Sequence, residues 1–156
     1  MTFMLGARSR ANLRGVHPQL IEVTELAITY TVADFGVHEG VRTIERQRAY
    51  VAANVSWTMA SKHLVQPDGY GHAVDLVPYV DGQLRWEWRP IYHIAAAVRR
   101  AAIEVGVSLV WGGVWDRTIA ELGDTAERIQ RDVEAYCQRH PGPDRIDGPH
   151  YQLVFV

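Results

Sequence analysis

Cysteine is all but absent from this 156-residue chain, with Cys137 standing alone. One thiol excludes an internal disulfide and any multi-cysteine zinc site. No segment approaches the roughly 18 consecutive apolar residues needed to cross a bilayer. Met1 to Asn12 has no apolar core followed by a small-residue cleavage site, so no signal peptide is expected. Neither sign of charge dominates, with 16 Lys and Arg against 18 Asp and Glu and a net charge of -2. Electrostatic capture of nucleic acid is therefore not expected, although Arg8, Arg10 and Arg14 form a small basic patch. Internal repeats and low-complexity tracts are missing as well. What remains is 47% hydrophobic and 22% charged, close to the globular average. The length suits one domain over residues 1-156, large enough to bury a core without staples and expected to be a monomer.

Residues 1-16 read as a polar loop. Pro18 suits a first helical position, and Leu20, Val23, Ala27 and Tyr30 recur at helical spacing. Phe35 to Val37 starts a short strand, and Thr43 can cap a second helix that fades near Asn54. Residues 55-71 have no clean period and read as a loop. Ala73 to Val80 is an expected strand, followed by a turn at Asp81-Gly82 and a second strand from Gln83 to Trp88. Pro90 is expected to open a long helix that Gly106 ends. Val107 to Trp111 is a short strand before the Gly112-Gly113 break. Residues 116-146 read as a helical insertion, with Asp124 capping a helix to about Gln138. His150 to Val156 is the last strand. The expected class is α+β, a small antiparallel sheet with flanking helices.

Three segments can carry chemistry. In Ser61-Lys62-His63 and Gly71 to Asp75, strand parity puts Gly71, Ala73, Asp75 and Val77 on one face and His72 on the other. A carboxylate among apolar neighbours must be paired or metal-bound, so Asp75 is either a salt-bridged structural residue or part of a site. In Asp147-Gly148-Pro149-His150, a Gly-Pro turn can fold Asp147 back beside His150. Taken alone, that segment fits a turn aspartate and a surface histidine better. Two histidines and one carboxylate suit zinc with an open fourth position, and a further carboxylate beside the water is what hydrolysis needs. Arg42, at a strand-to-helix junction, can hold a carboxylate or a developing oxyanion, though alone it reads as a solvated helix start. Trp111 either walls a cleft or packs in the core. His17, His38, His93 and His140 read as contacts away from the site.

Together these segments resemble the D-Ala-D-Ala carboxypeptidase and L-alanyl-D-glutamate endopeptidase family, the VanY-like LAS zinc peptidases with the hedgehog-type fold. Ser61, His63, Gly71, Ala73 and Asp75 match S-x-H-x-x-G-x-A-x-D, and Asp147 and His150 match the later D/E-x-x-H. Gly40, Arg42, Thr43, Arg46 and Gln47 match a Gly-x-Arg-[Ser/Thr]-x-x-Arg-Gln element. Trp111 to Trp115 and Asn12 to Pro18 resemble phage endolysins of this group. The spacing from His63 to Gly71 is stretched over Val65 to Tyr70, in a loop where insertion is cheap. The segment between Trp115 and Asp147 is also long, and either lids the cleft or decorates a remote edge.

The resemblance implies zinc held by His63, Asp75 and His150. It implies Asp147 as general base, Arg42 at the oxyanion and Ser61 supporting the metal site or the substrate. It implies a zinc peptidase acting on bacterial peptidoglycan, as a phage endolysin cutting L-alanyl-D-glutamate in host lysis. Such a protein is made in the host cytoplasm and meets the wall after release, without stable membrane insertion. The alternatives are a D-alanyl-D-alanine carboxypeptidase or dipeptidase, and a non-catalytic zinc domain that only binds the wall. A carboxypeptidase needs a second cation for the terminal carboxylate. No motif arginine beyond Arg42 is placed near the metal, which favours the endopeptidase, although Arg46 or an insertion arginine can serve as that cation.

Overall fold

The computed structural model describes residues 2–56, 58–143 and 145–155. Met1, Trp57, Asp144 and Val156, which fall in segments read above as loop, helical insertion or strand, lie outside the described residues. The strands β1 (Phe35–Glu39), β2 (Ala73–Val80), β3 (Gln83–Leu84), β4 (Leu109–Trp111), β5 (Val114–Thr118) and β6 (His150–Leu153) form an antiparallel sheet. Its order is β1-β2-β6-β4-β5, with β3 paired to β2. The helices are α1 (Ala7–Asn12), α2 (Pro18–Tyr30), α3 (Ile44–Ala52), α4 (Trp88–Val105) and α5 (Ala126–Arg139). The sheet with its flanking helices is the expected α+β class.

The register sorts the sheet into two faces. Val74, Tyr151 and Trp111 lie side by side across β2, β6 and β4. All three are buried, on the face that packs with α2 and α4. One residue along, Glu39, Asp75 and His150 lie side by side across β1, β2 and β6. Side chains alternate along a strand, so this second row is delivered to the opposite face. A row of Val, Tyr and Trp thus anchors the sheet, and a row of Glu, Asp and His becomes available for chemistry.

The helices follow from their stripes. In α2, Leu20, Val23, Ala27 and Ile28 are buried, and the His17 ring caps the start by accepting from the Gln19 N–H at 3.1 Å. In α4, Ala95, Ala97, Ala101 and Ala102 keep the buried face low, and α2 packs on it. Gly106 ends α4 at φ 81°, the left-handed stop that glycine adopts without strain. Asp81 and Gly82 both take positive φ, as a two-residue hairpin with a right-handed twist requires.

Several boundaries differ from the sequence reading. The 1-16 loop contains α1, whose isolated signal was too short to read. It is fixed by tertiary bonds: Ser9 Oγ accepts from the Val37 N–H at 2.9 Å, and Asn12 Nδ2 donates to the Val37 carbonyl at 2.8 Å. The strand expected from Gln83 to Trp88 stops at Leu84, because α4 begins at Trp88. Pro90 sits within its first turn, where a missing N–H costs no helical bond. Residues 114–118 form β5, which pairs back on β4 through Gly112-Gly113. The cap of α5 is Thr125, whose Oγ1 accepts from the Arg128 N–H, while Asp124 pairs with the Arg128 side chain at 2.8 Å.

Candidate active site

The chemistry-facing row of the sheet gathers His63, Asp75 and His150. One potential ligand atom from each lies within 4.8 Å of the others. Asp75 and His150 are cross-strand partners on β2 and β6. His63 comes from the loop before β2 and is held by its own backbone: its N–H donates to Ser61 Oγ at 3.2 Å. The serine of the motif therefore braces the turn that carries the ligand.

The outer nitrogens of both rings are occupied. His63 Nδ1 lies 2.7 Å from the Gly40 carbonyl, which can only accept, so Nδ1 carries the proton. His63 Nε2 then turns a lone pair toward Asp75 Oδ1 at 3.2 Å. His150 Nε2 meets Gln152 Oε1 at 2.9 Å, which leaves Nδ1 toward Asp75 Oδ1 at 3.3 Å. Two imidazole lone pairs and a carboxylate converge, and such a set needs positive charge at its centre. The residues thus fit a cation, with the second partner of each ring fixing its tautomer.

Titration carries the same message. Without a metal, a proton takes the place of the central cation: burial works against the Asp75 carboxylate, but hydrogen bonds from His150 and His63 outweigh it and hold Asp75 far below the usual carboxylate range. Burial also works against charged His150, and the bond and charge of Asp75 overcome it, raising its value. In metal-free protein the depressed Asp75 contributes stability above about pH 4, lost as pH falls further. The raised His150 contributes stability below about pH 6.5, lost as pH rises through its folded value. Metal-free protein is therefore expected to melt highest between about pH 4 and 6.5. Thermal melts in chelator check this, and a flat profile from pH 5 to 8 contradicts it.

Arg42 is buried, contrary to a solvated helix start. Its Nε and Nη2 donate to the two carboxylate oxygens of Glu39 at 2.5 and 3.0 Å, and Nη1 donates to Gln47 Oε1 at 2.6 Å. The Tyr50 ring lies 4.7 Å from the guanidinium carbon. A guanidinium has five N–H donors, so two remain for a ligand in the cleft. Gln47, fully buried, passes the constraint onward by donating to Ser56 Oγ and the Thr58 carbonyl.

Asp147 sits on the turn before β6. Its carbonyl accepts from the His150 N–H at 3.2 Å, and its own N–H donates to the Gly112 carbonyl at 2.8 Å. Trp111 Nε1 donates to the Gly148 carbonyl at 2.6 Å. The Trp-Gly-Gly element is thus the bed for the Asp147 turn, and Trp111 is core. A Cβ on Gly112 would lie 2.1 Å from the Asp147 carbonyl oxygen, so that position admits only glycine. Gly112→Ala is expected to displace Asp147 and lower the hydrolytic rate at least tenfold while metal binding persists; a rate within twofold of the parent contradicts it. Burial, then the charge of Asp75, raises the Asp147 carboxyl, against the pull of His150, His63 and Arg42.

These residues line a cleft of about 660 Å³. Ser61, His63, Asp75, Arg42, Asp147 and His150 all face it, so every expected site residue converges there. His72 does not: it bonds Asp68 at 2.7 Å, beside His17 and Phe155. His140 pairs with Asp116, but His38 lies at the cleft against Trp86. Trp86 is exposed at the cleft. The sequence reading missed Glu39, Tyr50, Trp115 and Gln152. Glu39 had a signal, since it sits three residues before Arg42; the others become visible only through register. The Trp115 ring lies tilted against the His150 ring, 5.3 Å between centroids. The cleft also contains Lys62 and Arg145, the latter an insertion arginine of the kind allowed for above, so the count of cations does not by itself separate the endopeptidase from the carboxypeptidase.

Comparison with known proteins agrees with this geometry. The family described as phage L-alanyl-D-glutamate peptidase matches residues 1–154. The L-alanyl-D-glutamate peptidase of Escherichia phage T5 is 27% identical over 158 residues, covering 99% of this chain and all of that protein. The crystal structure of the L-Ala D-Glu endopeptidase ChiX of Serratia marcescens superposes with a TM-score of 0.72 at 40% identity, over 97% of this chain and 91% of that one. With the fold, the converging residues and the full-length match in agreement, the chain belongs to the phage L-alanyl-D-glutamate peptidase family.

Proposed function

We propose that this protein is a zinc peptidase that cuts the L-alanyl-D-glutamate bond of the peptidoglycan stem peptide, as an endolysin in host lysis. The observation that carries the reading is the His63, Asp75, His150 triad with Asp147 beside it in one cleft. Three nitrogen and oxygen donors with an open position suit catalytic zinc. Zinc, when bound, supplies a Lewis acid for the scissile carbonyl and lowers the pKa of the attacking water.

The chain's own residues supply the rest. Asp147 takes the proton of the attacking water, and the burial that raises its carboxyl makes it a stronger base than an exposed aspartate. Arg42 turns its remaining N–H donors to the negative charge developing on the carbonyl oxygen, held in place by Glu39 and Gln47. Ser61 keeps His63 in position through the backbone. Residues 1-156 make one catalytic domain, and the 116–146 segment is part of its cleft, because Tyr136 and Arg145 line it. Among the described residues no helix is long and apolar enough to cross a membrane.

A defined stem peptide tests the reading. Zinc-loaded protein is expected to release the alanine-terminated and glutamate-led fragments, to stop after chelation, and to recover with zinc. Turnover that survives full removal of metal contradicts it.

Arg42 offers a separate test. Glu39 and Arg42 form a buried pair, so Arg42→Met strands a buried carboxylate and is expected to cost about 3–5 kcal/mol of stability along with activity. Adding Glu39→Gln should return most of the stability and none of the activity. Denaturant melts and peptide assays on the single and double variants check both halves.

A further inference from the structure

The cleft carries more positive charge than hydrolysis uses. Among its described lining residues are three carboxylates, Glu39, Asp75 and Asp147, and three permanent cations, Arg42, Lys62 and Arg145. Glu39 and Arg42 neutralise one another in their buried pair. A divalent ion offsets Asp75 and Asp147. Of the remaining cations, Arg145 has an interaction of its own, and Lys62 is left as positive charge facing the substrate, which suits a ligand that brings a carboxylate of its own.

Lys62 is the better placed of the two for the bond being cut. It is the only lysine in the chain and directly precedes His63. Its backbone is fixed on both sides: the Lys62 carbonyl accepts from the His72 N–H at 2.8 Å, and Ser61 Oγ holds the His63 N–H. Its side chain is exposed at the cleft and makes no ion pair with any described residue. One peptide step of about 3.8 Å separates its Cα from that of a proposed ligand. An extended substrate advances about 3.3–3.6 Å per residue. The flexible stem therefore carries the ammonium to groups on the residues flanking the scissile bond.

We propose that Lys62 is a specificity-determining residue that binds the free carboxylate of the D-glutamate on the leaving side of that bond. The proposal rests on the L-alanyl-D-glutamate reading above. A glutamate joined to alanine through its amine keeps two further carboxyl groups, and continuing the peptide uses only one. The other stands free, as a carboxylate or capped as an amide. An ammonium at Lys62 favours the carboxylate and gains little from the amide.

Two stem peptides, one with the free carboxylate and one with the amide, test this on the zinc-loaded protein. The parent should prefer the carboxylate peptide by about 10–100-fold in kcat/KM, the range of a hydrogen bond to a charged group. Lys62→Met should bring the two within about threefold, and Lys62→Arg should keep most of the preference. The fold is not at risk, since the structural bond of Lys62 comes from its carbonyl. An independent readout is reductive dimethylation of Lys62 followed by mass spectrometry: the glutamate-led product peptide should slow labelling when its carboxylate is free and not when it is an amide. Undiminished preference in Lys62→Met, or equal labelling with both products, overturns the proposal. Failure of the parent to cut either peptide at this bond overturns the functional reading beneath it.

Discussion

His63→Ala and His150→Ala are each expected to emerge from purification nearly free of zinc, where the parent carries about one ion per chain. Altering a residue that merely supports a ligand typically costs 10–100-fold in metal affinity, so removing a ligand should cost at least about a hundredfold. Activity should disappear with the metal. His72→Ala is the internal comparison, because His72 is engaged with Asp68 rather than with the triad. Elemental analysis after dialysis checks all three variants. Full zinc content in both ligand variants sinks the assignment.

Asp147→Ala is expected to behave in the opposite way, keeping zinc while losing about 10²–10⁴-fold in rate, the range of a positioned general base. Asp75→Ala should instead lose metal affinity. The two carboxylates are separable because their surroundings differ. Asp75 bonds both imidazoles and is held far below its ordinary value, whereas Asp147 is raised by burial and by the charge of Asp75. An empty site in Asp147→Ala with a full one in Asp75→Ala reverses the roles.

How much of this was legible depended on whether the signal was local. The Pro18 helix, the β2 strand and the Gly106 stop lie in short windows and were readable. The placement of Asp75 opposite His72 followed from strand alternation alone. What needed register was not readable: Glu39, Asp75 and His150 form a row only once β1, β2 and β6 are aligned. Gln152 completes the tautomer of His150 from the same strand, a role no spacing announces. Arg42 read as solvated because a charge at a helix start usually is, and only the packing of Glu39 and Gln47 around it buries it. Lys62 gave no signal as a cation of the cleft, since it lies outside the arginine motif, and which insertion arginine reaches the cleft, Arg145, is visible only in the fold. Trp111 resolved as core once its indole was seen to hold the Asp147 turn.

The most direct measurement is digestion of purified peptidoglycan with the zinc-loaded protein, followed by mass spectrometric identification of the new termini. The account predicts new C-terminal L-alanine and new N-terminal D-glutamate. Release of free D-alanine with the L-alanyl-D-glutamate bond intact would contradict it.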